Sequence, residues 1–162
     1  MDVRVLATSN RPAADPPLHV PANARLVAWL SYARTMAACD LVICHGGHGT
    51  VVRALASGCA VVAVPAAGDM NENAARVDWA GVGVRLPRRM VGPRGLALAT
   101  GRALARPDLL ARARRLREWS SVNDGAARAA DHVEALPRSE NGRSVRGTRV
   151  TPRGGFEPPR LD

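Results

Sequence analysis

The sequence predicts an α/β domain with a Rossmann-like parallel sheet of about five strands and a helical C-terminal part. Three observations support this fold class. Short apolar runs recur along the first half of the chain, helical segments separate them, and glycine or proline ends most of them. Strands that alternate with helices in this way form parallel sheets. The predicted strands are residues 3–7, 24–28, 41–44, 60–64 and 82–86.

Helices are predicted between the strands and throughout the segment that follows Pro87. One late helix starts at Pro93 and carries an apolar stripe on one face. Asp108 is the predicted N-cap of the next late helix, and the last one has small apolar residues on one side. The helices between the strands are predicted at 33–38, 51–57 and 72–80, and the last late helix at about 125–136.

The end of the chain differs in composition from the rest. Residues 137–162 are polar and broken by proline, and they hold six arginines and three acidic residues. Neither helical nor strand periodicity is visible there, which is typical of a segment that buries too little apolar surface to fold. The sequence therefore predicts one folded domain, residues 1–136, and a disordered basic tail, residues 137–162.

Composition argues against a nucleic-acid partner, a membrane span and a disulfide framework. The net charge is +9, but all 23 basic residues are arginine, as expected from GC-rich coding sequence. Aromatic residues make up only 3% of the chain and are not interleaved with the arginines, so we expect no nucleic-acid partner. No apolar run approaches the length of about 18 residues that a membrane span needs, and no secretory signal is visible. Cys39, Cys44 and Cys59 suggest reduced thiols in a cytoplasmic protein rather than a disulfide framework.

A glycine-rich turn after the third predicted strand is the strongest functional signal. The segment from His45 to Thr50 reads His-Gly-Gly-His-Gly-Thr, and a helix follows it. In such a turn the backbone can approach a phosphate closely, and the free amides at the helix start point at the anion. Two alternatives remain open at this point: an ordinary turn that binds nothing, and a zinc site that would use Cys44, His45 and His48.

Polar residues also follow the fourth predicted strand. Asp69 and Asn71 lie in a loop after Pro65, and a helix comes next. The carboxyl ends of parallel strands meet at one edge of a sheet, where open α/β folds bind their ligands. The loop and the glycine turn are therefore predicted to face the same ligand.

Several motifs together resemble the C-terminal, nucleotide-sugar-binding domain of family 1 glycosyltransferases with the GT-B fold. This group includes UDP-sugar transferases and the bacterial macrolide and glycopeptide glycosyltransferases. The resemblance is clearest over residues 25–136, and its order and spacing both agree. The motifs are Trp29-Leu-Ser-Tyr, His45-Gly-Gly-His-Gly-Thr, Ala54-Leu-Ala-Ser-Gly, Pro65 and Gly68-Asp-Met-Asn-Glu-Asn-Ala-Ala-Arg-Val.

The resemblance implies a donor site for a nucleotide-diphosphate sugar, with no metal, no cofactor and no catalytic residue supplied by this chain. The base is expected to stack on Trp29, with the Leu30 backbone at the base edge; the alternative for Trp29 is a core aromatic. Asp69 and Met70 are expected at the donor sugar, where the carboxylate would accept hydrogen bonds from hydroxyls. The residues expected at the diphosphate are His45, Gly46, Gly47, His48, Gly49 and Thr50.

Three departures from the family pattern leave the donor nucleotide open between UDP and TDP. Arg53 stands where the family often has a glutamate that binds the ribose hydroxyls, and a guanidinium cannot accept hydrogen bonds. Met70 stands where glutamine is common after the sugar-binding aspartate, and Tyr32 replaces another common glutamine.

The resemblance also implies missing parts. A complete GT-B enzyme has an N-terminal domain that binds the acceptor, and nothing here resembles it. In a sheet of order 3-2-1-4-5-6 the central first strand has no counterpart before Val3, so a gap is expected between strands 3–7 and 41–44. The sequence therefore predicts the donor-binding half of a glycosyltransferase with a separate acceptor-binding N-terminal half. The alternative is a non-catalytic nucleotide-sugar-binding module or an inactive gene fragment.

Overall fold

The computed structural model describes residues 2–8 and 19–136. Five strands and six α-helices follow one another in the predicted order, and two 3₁₀ turns, Met36–Ala38 and Arg88–Met90, join them. The strands are β1 (Val5–Thr8), β2 (Ala24–Val27), β3 (Leu41–Cys44), β4 (Ala60–Ala63) and β5 (Gly83–Arg85). The helices are α1 (Tyr32–Thr35), α2 (His48–Ala56), α3 (Asp69–Trp79), α4 (Pro93–Leu104), α5 (Pro107–Val122) and α6 (Gly125–Glu134).

The five strands are parallel, as predicted, but they form two separate sheets. One sheet pairs β1 with β2, and the other has the order β3-β4-β5. Within the described residues β1 does not pair with β3, so the expected gap lies where the sequence predicted it. The two sheets are separate because no strand of residues 2–8 and 19–136 connects the two halves.

The core lies on both faces of the three-stranded sheet. Successive residues of β4 point to opposite faces, and all four are buried. Val61 and Ala63 pack with α2 and α3, where Val51, Ala54, Ala74 and Val77 are buried. On the other face Val62 packs with α4 and with Leu109 of α5. A strand covered on both faces reads as a continuous apolar run, which is why the pattern of β4 was visible in the sequence.

Two helices start three residues earlier than predicted. The structure begins α2 at His48 rather than at residue 51, and α3 at Asp69 rather than at residue 72. In both cases the preceding glycine is the N-cap. Gly68 reaches a φ of 57°, which glycine adopts without strain, so the turn into α3 is tighter than a loop. Asp69 and Asn71 are therefore part of the first turn of α3.

The predicted N-cap at Asp108 was wrong. Pro107 occupies the first position of α5, where its missing N–H costs nothing, and Arg106 is the N-cap. Asp108 instead forms an ion pair of 2.5 Å with Arg106 at the surface. The hydrogen bond from Arg106 lowers the pKa of the Asp108 carboxyl.

The late helices divide into two that pack and one that does not. The apolar stripe predicted on α4 is confirmed, since Ala99 and Ala103 are buried. In contrast, every residue of α6 is exposed, so its small apolar side covers none of the core. No helix within residues 2–8 and 19–136 is long and apolar enough to cross a membrane. The predicted disordered tail, residues 137–162, lies outside the described residues.

Candidate functional site at the glycine turn

The glycine turn connects β3 to α2 at the carboxyl edge of the three-stranded sheet. The backbone of Val64 donates to the Cys44 carbonyl at 2.8 Å, which continues the strand pairing up to the start of the turn. Gly46 then takes a φ of 82°, in the left-handed region that glycine favours. Gly46 is buried, while His45, His48 and Gly49 are exposed. The turn is thus held against the protein at Gly46, whereas His45, His48 and Gly49 face the solvent.

The imidazole of His45 folds back over Gly47, the N-cap of α2. A Cβ atom added at Gly47 would collide with His45 Nε2. The backbone of Gly47 has a φ of −61°, which any residue can adopt, so a larger residue here would meet the His45 ring and no backbone strain. The structure therefore brings the His45 ring directly to the amino end of α2.

The two helix starts at this edge carry opposite electrostatic character. The first turn of α2, from His48 to Val51, contains no acidic residue, and its N-cap, Gly47, has no side chain that could cap it. The amides of His48 and Gly49 occupy positions for which an α-helix supplies no acceptor. The first turn of α3, in contrast, contains the carboxylates of Asp69 and Glu72. An anion is therefore favoured at α2, and groups that donate hydrogen bonds are favoured at α3.

Contacts hold the glycine turn against α3. Where a Cβ atom of Gly46 would lie, the Met70 carbonyl oxygen is 3.1 Å away and Met70 Cβ is 3.7 Å away. Asn73 Nδ2 also donates to the Gly46 carbonyl at 3.0 Å. The structure thus brings the residues predicted for the diphosphate next to Met70, which was predicted for the sugar.

A hydrogen bond connects the start of α3 to the end of β5. Arg85 is exposed at the carboxyl end of that strand, and its guanidinium donates to Asn71 Oδ1 at 3.3 Å. Asp69 is the first residue of α3 and is exposed. Its carboxylate is therefore accessible to a ligand at the edge of the sheet.

Trp29 and Leu30 line an open depression of about 400 Å³ together with Ser31 and Tyr32. The Trp29 side chain is 73% exposed, so the alternative of a core aromatic was wrong. Tyr32 packs against the same core cluster as Val51 of α2, which anchors this connector beside that helix. The flat face of Trp29 is available to a planar ligand.

All three thiols have raised pKa values. Burial raises the pKa of Cys44, although the Gly46 amide that donates to its sulfur opposes the shift. Burial, together with Cys39 and Asp40, raises the pKa of Cys59 to about 11. Neutral thiols are poor nucleophiles and poor metal ligands. Among the described residues no group of three histidine, cysteine or acidic side chains could hold a metal ion.

A second cavity of about 260 Å³ lies at the opposite edge of the sheet. It is lined by Asp40, which precedes β3, by Gly58, which follows α2, and by Arg114 and Arg117 of α5. None of the residues predicted for the donor lines it. It is therefore separate from the candidate site.

Asn73 is the residue of this site to which the sequence assigned no role. It lies within the motif that starts at Gly68, but its partner, Gly46, is 27 residues away. No local pattern could have linked the two, because the contact depends on how α3 packs beside the turn.

The chain matches known proteins over most of its length. Residues 1–136 match the family described as erythromycin biosynthesis protein CIII-like, C-terminal domain. The chain is 34% identical over 135 residues to 4'-demethylrebeccamycin synthase of Lentzea aerocolonigenes, and this match covers 83% of the chain and 32% of the relative. It is 30% identical over 146 residues to aklavinone 7-beta-L-rhodosaminyltransferase of Streptomyces galilaeus, which covers 90% and 33%.

The fold is also found among solved structures. The glycotransferase of kitacinnamycin superposes with a TM-score of 0.72 at 27% identity, over 81% of this chain and 34% of that one. The predicted GT-B-type α/β fold is thereby confirmed. The chain spans about a third of the length of the curated relatives it matches.

Proposed function

Because the chain belongs to the EryCIII-like C-terminal domain family, we propose that it is the donor-binding half of a glycosyltransferase. The complete enzyme would transfer a sugar from a nucleotide-diphosphate donor to a hydroxyl group of a small molecule. One matched relative is by name a rhodosaminyltransferase, and one matched structure is a glycotransferase, which supports sugar transfer as the reaction. The donor is a substrate, and the proposal requires neither a metal nor another cofactor.

The observation that carries this proposal is the start of α2. Its first turn is free of acidic residues, two of its amides have no acceptor inside the helix, and the His45 ring lies over its N-cap. We assign the diphosphate to this place, held by His45 and by the segment from Gly46 to Thr50. Histidine and helix amides would stabilise the negative charge of the diphosphate both when the donor binds and when the nucleotide leaves.

The remaining parts of the donor are assigned by the chemistry of the neighbouring groups. The exposed Asp69 carboxylate accepts hydrogen bonds from sugar hydroxyls, and Met70 lies beside it against the glycine turn. The base stacks on the exposed face of Trp29, with the Leu30 backbone at its edge. Arg53 is exposed on α2 and has no acceptor for ribose hydroxyls, so both UDP and TDP remain candidate donor nucleotides.

Calorimetric titration of the full chain with UDP, TDP and UMP tests the diphosphate site. We expect UDP or TDP to bind about tenfold more tightly than UMP, because hydrogen bonds to a charged group contribute about 1.5–3 kcal/mol. Uridine serves as the control for binding through the base alone. Equal affinities for UDP, UMP and uridine would contradict the assignment of the diphosphate to the start of α2.

We further propose that the acceptor is bound by a separate N-terminal half. Two observations support this: the chain spans about a third of its relatives, and each sheet ends at a strand with no further strand beside it among the described residues. Within the described residues β1 pairs only with β2 and β3 only with β4, so each has one free edge. Apolar residues of these strands are partly exposed, with Leu6 at 46% and Ile43 at 48%. An added parallel strand could pair with these edges and would cover this apolar surface.

The chain alone is expected to transfer no sugar. Of its four histidines, His45 and His48 are assigned to the diphosphate, His19 precedes β2, and His132 lies on the fully exposed α6. No histidine of the chain is therefore left to act as the base that would deprotonate an acceptor. Incubation with UDP-sugars and hydroxylated acceptors, followed by chromatography, should show no product. A His45→Ala chain is the control for contaminating activity, and turnover by the parent above this control would refute the expectation.

A further inference from the structure

Asn73 makes a contact that links the two parts of the proposed donor site. Its side-chain amide donates to the Gly46 carbonyl at 3.0 Å, and the contact is partly buried. Gly46 lies in the turn assigned to the diphosphate, and Asn73 lies on the helix that starts with Asp69. This hydrogen bond therefore joins the diphosphate residues to the sugar residues.

The geometry of the turn depends on where the Gly46 peptide is held. Gly46 has a φ of 82° and is buried, and a Cβ atom added to it would lie 3.1 Å from the Met70 carbonyl oxygen. One amide donor at its carbonyl fixes the peptide plane, and this plane sets the direction in which the chain enters α2. Asn73 can supply that donor because its amide is a donor at every pH.

We propose that Asn73 is a positioning residue that sets the place of the glycine turn relative to α3. Since Asp69, Met70 and Asn73 belong to one helix, the bond keeps the diphosphate amides and the sugar carboxylate at a fixed separation. Asn73 itself does not touch the donor. The proposal rests on the proposed function, since it names a residue that shapes the same site.

The test compares nucleotide affinities of three full-length variants with those of the parent. Asn73→Leu removes the donor without adding charge, and Asn73→Asp keeps the shape but cannot donate at pH 7.5. The matched control is Asn123→Leu, since Asn123 also donates from its side chain to a backbone carbonyl, that of Trp119, at 2.8 Å and partly buried, but at the far end of α5. UDP and UMP are titrated into each protein, and each protein is melted.

Both Asn73 variants are expected to lose about five-fold in UDP affinity, the size of one lost hydrogen bond, with a smaller loss for UMP. The ratio of UDP to UMP affinity should therefore fall, which a uniform loss of stability would not cause. Asn123→Leu should lower the melting temperature without changing this ratio. Equal UDP and UMP affinities of the parent would contradict the proposed function. If the parent prefers UDP and both Asn73 variants keep the same ratio of UDP to UMP affinity, the proposed role of Asn73 is wrong.

A measurement on the unmodified chain covers the case in which neither variant folds. In two-dimensional NMR spectra the Asn73 side-chain NH₂ signals should shift on addition of UDP together with the Gly46 to Gly49 amides. The Asn123 side-chain signals should stay in place. UDP-induced shifts at the turn without any shift at the Asn73 side chain would overturn the proposal.

Discussion

Replacing Gly83 by alanine is expected to unfold the domain. Gly83 pairs with Val61 in register between β4 and β5, and an added Cβ would collide with the Val61 carbonyl oxygen and with Val77 Cγ1. The obstacle is largely backbone, so β5 would have to move away from β4. That movement would break the ladder, including the bond of 2.9 Å from the Leu86 amide to the Ala63 carbonyl. We expect a loss of about 4 kcal/mol or more, which approaches the total stability of many small domains.

Denaturant titration followed by circular dichroism measures this loss. The matched control is Gly125→Ala, at the first position of α6, where an added Cβ meets nothing within 4 Å. That variant should change the free energy of unfolding by less than about 1 kcal/mol. A Gly83→Ala protein that unfolds at the same denaturant concentration as the parent would show that β5 is not held as described.

Replacing His45 by alanine is expected to weaken UDP or TDP binding by about 1–3 kcal/mol, the contribution of a hydrogen bond to a charged group. Gly47→Ala should have a similar effect through the same side chain. A Cβ at residue 47 would collide with His45 Nε2 and displace the ring from the start of α2. Because His45 is exposed and its ring can move, the melting temperature of Gly47→Ala should stay close to that of the parent.

The double variant separates this mechanism from two independent losses. If Gly47→Ala acts by displacing the imidazole, the double variant should bind UDP no more weakly than His45→Ala alone. Calorimetry on the four proteins completes the cycle, with Gly125→Ala as the control for adding a methyl group at a helix start. Additive losses, or a Gly47→Ala chain with the affinity of the parent, would show that the His45 ring does not contribute from its observed position.

Local patterns in the chain predicted much of the fold. The five strands agree with the structure to within two residues at each end, because apolar runs bounded by glycine and proline are local signals. The glycine turn was also located from a local signal, its run of glycines. Gly46 has the left-handed φ that such a turn needs. The apolar stripe of α4 followed from helical periodicity, and two of its alanines are buried.

Other features were decided only by how these elements pack. The contact between Asn73 and Gly46 and the His45 ring over Gly47 depend on the placement of α3 and α2 beside the turn. The last helix shows the limit of periodicity, because α6 has an apolar side and yet is exposed along its whole length. An amphipathic pattern predicts a helix but does not specify a partner for its apolar face.

The division of the sheet shows the same distinction. The short apolar runs of β1 and β3 each predict a strand, because strand formation depends on residues a few positions apart. Which strands become neighbours depends on segments far apart in the chain, and on whether a strand that could bridge them is present. Backbone groups at the free edges of β1 and β3 therefore stay unpaired with each other, although each strand forms where its own residues predict it. Local chemistry determined the elements and the turn, and packing between distant segments determined the edges, the contacts and the shape of the site.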